Sequence, residues 1–215
     1  ALREMVHRWA QDRIKPQAAA IDRTNAFPPA LWPELGSLGL LGITVPEEYG
    51  GAGGDFGHSA VLIEELARVN ATAVGFTTHS EIVAPYILHY GTEEQKQKYL
   101  PKLATGEMIG AIAMSGPAAG SDLQGIKSTA LQQADGSYLL NGSKTFITNG
   151  YQADLVIVAT RTDPTKGAKG ITLFMVEDGM EGCTRGRKLD KVGQEESDTA
   201  ELCFQDVRVP DSNRI

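Results

Sequence analysis

The sequence predicts an α+β protein in which an all-α region, residues 1–108, precedes an antiparallel β-barrel or sandwich, residues 109–215. Up to about Met108, apolar residues recur at the three- and four-residue spacing of helices. Beyond it, the apolar runs are short and rich in β-branched residues, which is typical of strands. Dipeptides suited to tight turns separate these runs: Asp135-Gly136, Asn141-Gly142 and Asn149-Gly150.

The first half contains several predicted helices. The earliest has Leu2, Met5, Val6 and Trp9 on one face, and Pro16 is expected to kink or end it. Further helical or apolar segments cover residues 30–38, 58–70 and 71–90. A last helix is predicted to begin at a capping box formed by Thr92 and Gln95, with Pro101 near its end.

The second half contains predicted strands, each bounded by turn residues. Their ranges are 109–114, 128–133, 137–140, 143–148, 154–160, 170–176 and 201–209. The last run breaks its alternation at Asp206, which indicates a β-bulge.

Composition excludes some classes of function. The chain has 215 residues with 20 basic and 27 acidic side chains, a net charge of -7, and no Lys/Arg cluster. Such a chain is a poor partner for nucleic acid or an anionic membrane surface. We expect no membrane-spanning segment, and no signal or transit peptide is visible in a sequence whose numbering can begin after one. Cys183 and Cys203 form no paired motif, so we expect free thiols in a reducing compartment.

Several charged or ligating residues receive structural interpretations. The four histidines have no metal-ligand spacing, so no metal site is expected. The acidic residues of the predicted helices are expected on solvated faces. These residues are Glu64, Glu65, Glu81, Glu93 and Glu94.

Two segments could carry chemistry. In residues 112–123, small residues expose the backbone, and Ser115 and Ser121 add hydroxyls that donate and accept. In residues 141–150, Phe146 and Thr148 share one face of a strand, and Ile147 points the other way. An aromatic ring beside a hydroxyl suits a planar heterocycle with polar edges. A Gly/Ser loop after a strand, and a core aromatic beside a surface threonine, are the simpler alternatives.

Together the segments resemble the acyl-CoA dehydrogenase family. The family pattern Met/Val-Thr/Ser-Glu-Pro-x-Ala-Gly-Ser-Asp is matched at residues 114–122, with Gly116 in place of Glu, and Lys-x-Trp/Phe-Ile-Thr/Ser-Asn-Gly is matched at residues 144–150. Further landmarks of the family stand at residues 45–51, 90–96 and 206–210. The resemblance spans the chain in order and is strongest to the long-chain acyl-CoA branch.

The resemblance implies a non-covalent FAD site and an acyl-CoA thioester substrate. Ser115 would bond the polar edge of the flavin, Phe146 would cover one ring face, and Thr148 would donate toward the N5/O4 edge. Ser121 would contact both the flavin and the substrate. The implied cofactor-binding residues are Ile112, Met114, Ser115, Ser121, Phe146, Ile147 and Thr148. His79 could line an acyl channel, but a helix-end histidine with local hydrogen bonds is the simpler interpretation.

The implied reaction is α,β-dehydrogenation to a trans-2-enoyl-CoA in fatty-acid β-oxidation. A carboxylate base removes the α-proton, and the β-hydrogen leaves as hydride to the flavin. In the family the base lies in a C-terminal helical domain, so no catalytic residue is assigned here. The chain is expected to be a fragment that lacks this domain and is inactive alone. The resemblance further implies an electron-transferring flavoprotein as acceptor, a homodimer or homotetramer at full length, and a bacterial cytoplasmic or mitochondrial matrix location. A flavin monooxygenase, an acyl-CoA oxidase and a non-catalytic acyl- or flavin-binding module remain alternatives.

Overall fold

The structure, a computed structural model, describes residues 1–24, 26–71 and 75–215. They form two compact units. The helical unit comprises Ala1–Ile109 and Asp190–Asp198, and the sheet unit comprises Gly110–Leu189 and Thr199–Ile215. Asp190–Asp198, which the sequence interpretation grouped with the β region, thus lie with the helices.

The helical unit is built from seven α-helical segments in the described residues. They are α1 (Leu2–Trp9), α2 (Ala18–Thr24), α3 (Leu31–Ser37), α4 (Phe56–Arg68), α5 (Phe76–Thr78), α6 (Ala84–Tyr90) and α7 (Glu93–Thr105). The predicted capping box is present: Gln95 N donates to Thr92 Oγ1 at 3.3 Å, and Thr92 N donates to Gln95 Oε1 at 2.8 Å. Part of the predicted segment 71–90, residues 72–74, lies outside the described residues.

The first helix does not end at Pro16. Its turns widen to a π-helix over Ala10–Ile14 and tighten to a 3₁₀ turn over Lys15–Gln17 before α2 begins. A proline ring clashes with the preceding helical turn and lacks an N–H donor. The local change of helix type accommodates both effects, so the chain stays helical to Thr24.

Glu65 corrects the expectation of a solvated acidic face. It is 0% exposed, although α4 also carries exposed charges. Its carboxylate lies 2.6 Å from Arg3 Nη1 and 2.9 Å from His7 Nδ1. The hydrogen bond with His7, together with the Arg3 guanidinium, lowers the pKa of Glu65. Partners on α1 therefore hold this carboxylate charged inside the helical unit.

His79 is a core residue that bonds across the helical unit. It is 0% exposed, and its Nε2 lies 2.9 Å from the carbonyl oxygen of Leu103 on α7. Its ring centroid is 5.1 Å from that of Trp32. Burial lowers the pKa of His79 to about 4, so the imidazole is neutral at pH 7.

The sheet unit contains a curled, seven-stranded sheet. Its strands are β1 (Gly110–Ala113), β2 (Thr129–Gln132), β3 (Tyr138–Thr148), β4 (Leu155–Arg161), β5 (Ile171–Glu177), β6 (Cys183–Lys188) and β7 (Thr199–Val209). The order is β1-β4-β2-β3-β7-β6, and β5 pairs with β4. The predicted helical region followed by a β domain is confirmed.

The sheet is mixed rather than purely antiparallel. β1 pairs with β4 in parallel from Gly110↔Leu155 to Ala113↔Val158, and β2 meets β4 in parallel at Thr129↔Arg161. The β2–β3 hairpin lies between β1 and β4 in the chain, which gives the connection enough length to return in the same direction. The other pairs are antiparallel.

Only the first predicted turn dipeptide forms a hairpin. Gly136, with φ of 84°, joins β2 to β3. Asn141 and Gly142 instead lie inside β3, where the register with β7 shifts. Gly142 has φ of 136°, and a Cβ there would lie 2.7 Å from Ser128 Cα. This close approach explains the glycine without a turn. Asn149, with φ of 64°, ends β3.

Candidate functional site

The two candidate segments lie side by side in the sheet unit. Lys144 Nζ donates to Met114 O at 2.8 Å, and Thr145 N donates to Ser115 O at 3.2 Å. Asn149 Nδ2 donates to Gly110 O at 3.1 Å. β1 and its exit therefore run beside the second half of β3, although β1 and β3 are not neighbours in the strand order.

A β-bulge shapes the middle of the second segment. Lys144 pairs with Leu202 and Ile147 pairs with Ala200, so Thr145 and Phe146 face a single residue of β7. Phe146 takes φ of 59°, a left-handed conformation that is costly for a residue with a Cβ. Its side chain is 72% exposed. The bulge thus presents an aromatic ring at the surface of the sheet unit.

Ile147 lies on the opposite face, as the two-residue period predicts. Its side chain is 2% exposed and packs in the core of the sheet unit with Ala111 and Ala113 of β1. Ile112, between these alanines, is half-buried on the other face. Phe146 and Ile112 therefore lie on the face away from this core. Only the backbone of Ile147 remains to contact a ligand on that face.

Three candidate residues carry hydroxyls that are available to a ligand. Within the part of the chain that the structure describes, the side chains of Ser115, Ser121 and Thr148 make no hydrogen bond. Ser115 and Thr148 are half-buried, and Ser121 is exposed. Each hydroxyl can both donate to and accept from a ligand. Met114 is half-buried and packs against Ala119, Ile126 and Ala159.

The loop that carries Ser121 is held from both sides. Gly116 and Ala119 exchange two backbone hydrogen bonds, N to O, of 2.9 and 3.0 Å, which close a tight turn before it. After it, Arg161 at the end of β4 donates from Nε to Ile126 O at 3.3 Å and from Nη2 to Gln124 O. Sequence reasoning missed Arg161 because nothing local marks an arginine that bonds backbone carbonyls.

Lys144 is the second residue that sequence reasoning left without a role. It is 0% exposed, and burial lowers the pKa of its ammonium to about 8. A signal for it existed, because Lys144 lies four residues after Leu140 and six after Tyr138, in phase with the two-residue period on the core face of β3.

Among the described residues, no group of three or more His, Cys, Asp or Glu side chains could hold a metal ion. In the same residues, no helix has the length and apolar character needed to cross a membrane.

Family models match both parts of the chain. The acyl-CoA dehydrogenase N-terminal domain matches residues 1–107, and the middle domain matches residues 111–207. The long-chain specific acyl-CoA dehydrogenase of pig (Sus scrofa) is 48% identical over 213 residues, which is 98% of this chain and 49% of that protein. Isovaleryl-CoA dehydrogenase of Arabidopsis thaliana is 45% identical over 98% of this chain and 52% of its own length. The chain thus spans about half the length of these relatives.

Solved structures of the same family superpose closely. An acyl-CoA dehydrogenase from Geobacillus kaustophilus has a TM-score of 0.95 and 47% identity, over 99% of this chain and 56% of that chain. A glutaryl-CoA dehydrogenase from Mycobacterium smegmatis, in complex with FADH2, has a TM-score of 0.90 and 31% identity, over 99% of this chain and 54% of that chain.

Proposed function

We propose a function from the premise that this chain belongs to the acyl-CoA dehydrogenase family, a family of oxidoreductases. In our proposal, the chain is part of a longer FAD-dependent enzyme that dehydrogenates acyl-CoA thioesters at the α,β-bond. The sheet unit contributes one wall of the flavin site. The relative that binds FADH2 supports the choice of cofactor.

The observation that carries this proposal is the exposed, strained Phe146 beside unused hydroxyls. An exposed aromatic ring leaves apolar surface in water, and a φ of 59° strains the backbone of a residue that has a Cβ. A planar ring stacked on Phe146 would gain apolar contact. The hydroxyls of Ser115 and Thr148 would bond its polar edge. The residues present therefore fit a flavin.

The chain's own residues would bind and orient. Ile112 and Met114 would line the ring, Phe146 would cover one face and exclude water, and the backbone of Ile147 would lie along it. Ser121 would reach both cofactor and substrate. When bound, FAD supplies a hydride acceptor for the β-hydrogen of the thioester. We propose that the base for the α-proton comes from a part of the enzyme outside these 215 residues.

Substrate, acceptor and assembly are proposed from relatives and from the sequence. The named relatives act on long-chain and isovaleryl thioesters, and we favour longer straight chains because the pig enzyme matches at 48% identity. Electrons would pass to an electron-transferring flavoprotein, and the whole enzyme would be a homodimer or homotetramer. Both relatives are mitochondrial by name, which supports a matrix location or its bacterial cytoplasmic equivalent.

The test measures FAD binding by the 215-residue chain, with quenching of flavin fluorescence as the signal. We expect weak, saturable binding that Phe146→Ala weakens by at least about tenfold, the equivalent of about 1.4 kcal/mol. Leu131→Ala is the matched control, because Leu131 is 56% exposed on β2 outside the site. Equal affinities of the two variants would refute the assignment of Phe146. Tight stoichiometric FAD binding together with turnover would refute the expectation that this chain is an inactive fragment.

The reaction itself is tested on the whole enzyme. Acyl-CoA-dependent reduction of a dye, without hydrogen peroxide, is the expected result. Peroxide formation would instead identify an oxidase, and acyl-CoA binding without flavin bleaching would identify a non-catalytic module.

A further inference from the structure

The loop that carries Ser121 is fixed at both ends and exposed in the middle. Ala119 and Ile126, which are 4% and 2% exposed, anchor its ends in one small apolar cluster of the sheet unit. Residues 120–124 between them are all exposed. The 3₁₀ turn Leu123–Gly125 is closed by backbone hydrogen bonds of 3.0 and 3.2 Å, but these bonds lie within the loop. They shape the turn without attaching it to the sheet.

Arg161 connects the exposed middle of this loop to the sheet. It is the last residue of β4, a strand that pairs with β2 and with β5 at this end. Its side chain donates from Nε to Ile126 O at 3.3 Å and from Nη2 to Gln124 O. A third donor, Nη1, lies 3.4 Å from Gly167 O in the neighbouring turn. One guanidinium on a paired strand therefore binds two loops.

The partners of Arg161 are all backbone carbonyls. In the part of the chain that the structure describes, its guanidinium forms no ion pair with Asp or Glu. A guanidinium presents its donors in a fixed planar fork, so binding several carbonyls at once fixes their relative positions. A lysine carries the same charge on a single nitrogen and cannot reproduce this fork. The arrangement is suited to holding backbone in place.

We propose that Arg161 is a positioning residue for the acyl-CoA substrate, because it holds the loop that presents the Ser121 hydroxyl. The inference rests on the proposed function, which assigns Ser121 to the substrate. Arg161 itself would not touch the ligand. A loop that is already ordered loses less entropy when the ligand binds, so Arg161 acts on affinity. Phe146 lies on β3 outside this loop, so its contact with the flavin ring would remain.

The experiment is steady-state dye reduction by the whole enzyme, with FAD in excess, using palmitoyl-CoA and isovaleryl-CoA. Arg161→Met should raise KM at least about fivefold and leave kcat within about twofold. Arg161→Lys should raise KM nearly as much, because it keeps the charge without the fork. Arg208→Met is the matched control, since Arg208 is an exposed arginine of β7 that bonds Asp135 at 2.8 Å. It should keep the wild-type KM.

A double-mutant cycle tests whether Arg161 acts through Ser121. Ser121→Ala alone should raise KM, because it removes the hydroxyl that the loop presents. Adding Arg161→Met to Ser121→Ala should raise KM by less than about twofold more, since the group to be positioned is already gone. Arg161→Lys takes the place of Arg161→Met in the cycle if the methionine variant does not fold.

Three results would overturn the proposal. One is a wild-type KM in Arg161→Met, and another is a wild-type KM in Arg161→Lys, which would identify attraction by charge alone. The third is a double variant in which the two effects on KM multiply. A whole wild-type enzyme that reduces no dye with either thioester would instead refute the proposed function, and the inference would fall with it.

Discussion

The pairing of β3 with β7 shifts register at two places, and the two places differ in how their polar groups are satisfied. The first lies between Leu140 and Gly142, and the second lies between Lys144 and Ile147. In the first, the Asn141 side chain donates to Asp206 Oδ1 and accepts from Asp206 N, both at 2.9 Å. We call this the closed bulge, because the chain satisfies its own groups there.

At the second irregularity, which we call the open bulge, the backbone is strained and a buried hydroxyl has no hydrogen-bond partner among the described residues. Phe146 occupies the left-handed region with an exposed ring, and the buried Thr145 Oγ1 has no hydrogen-bond partner among the described residues. A bulge that only ended or bent a strand would not need these costs. The closed bulge maintains the sheet through its own hydrogen bonds, and the unsatisfied groups of the open bulge support our proposal that a ligand binds there.

The largest expected effect comes from Gly142 in the closed bulge. Gly142→Ala adds a Cβ 2.7 Å from Ser128 Cα at φ of 136°. We expect a loss of roughly 4 kcal/mol in the free energy of unfolding, from overlap plus backbone strain. Urea denaturation measures it. Gly120→Ala is the control, because a Cβ there meets nothing within 4 Å. Similar losses in both variants would contradict the close approach.

The next effect is the pH dependence of Lys144, which flanks the open bulge. Its pKa falls from 10.5 to about 8 in the folded chain, so below pH 8 the folded state carries the cost of a buried charge. As pH rises from 8 to 10.5, the folded state loses this proton first and the cost disappears. The wild type should therefore gain about 3 kcal/mol relative to Lys144→Met over this range.

Urea denaturation at pH 7, 8, 9 and 10 measures this difference. Lys127→Met controls for the loss of an exposed lysine from the sheet unit. A difference between wild type and Lys144→Met that stays constant with pH would contradict the burial of a titrating ammonium.

Sequence reasoning located elements better than it located their partners. Residues 154–160 were recognisable as a buried strand because their β-branched run is continuous, and β4 is buried over most of its length. The parallel pairing of β4 with β1 was not recognisable, because strand partners depend on contacts across the chain. β6 was missed because Cys183–Lys188 has no apolar alternation, which suits a strand at the end of the sheet order.

In the candidate site, too, local features were predictable from the sequence and features that depend on distant contacts were not. The two-residue period was enough to separate exposed Phe146 from buried Ile147. The left-handed conformation of Phe146 was not predictable, because a bulge depends on the register with β7. Glu65 was misjudged for a related reason: its cationic partners lie on α1, far away in sequence. The flavin and acyl-CoA roles of the candidate residues stay predictions.

A smaller effect is expected for Asn141, which seals the closed bulge. Asn141→Ala removes both side-chain hydrogen bonds to Asp206, and one of these bonds satisfies a backbone N–H. We expect a loss of about 2 kcal/mol in stability with FAD affinity unchanged. Gln132→Ala, an exposed polar residue of β2, is the control. A change in FAD affinity for Asn141→Ala would break the division of roles between the two bulges.

The smallest effect has the opposite sign and tests the open bulge. Phe146→Gly relieves the left-handed strain and removes a ring that is 72% exposed, so little burial is lost. We expect a gain of about 0.5–1 kcal/mol in the free energy of unfolding, together with weaker FAD binding. Leu131→Gly, at an exposed residue with ordinary strand geometry, should lose about 1 kcal/mol. If both glycine variants lose stability equally in urea denaturation, Phe146 carries no strain, and the open bulge is structural like the closed one.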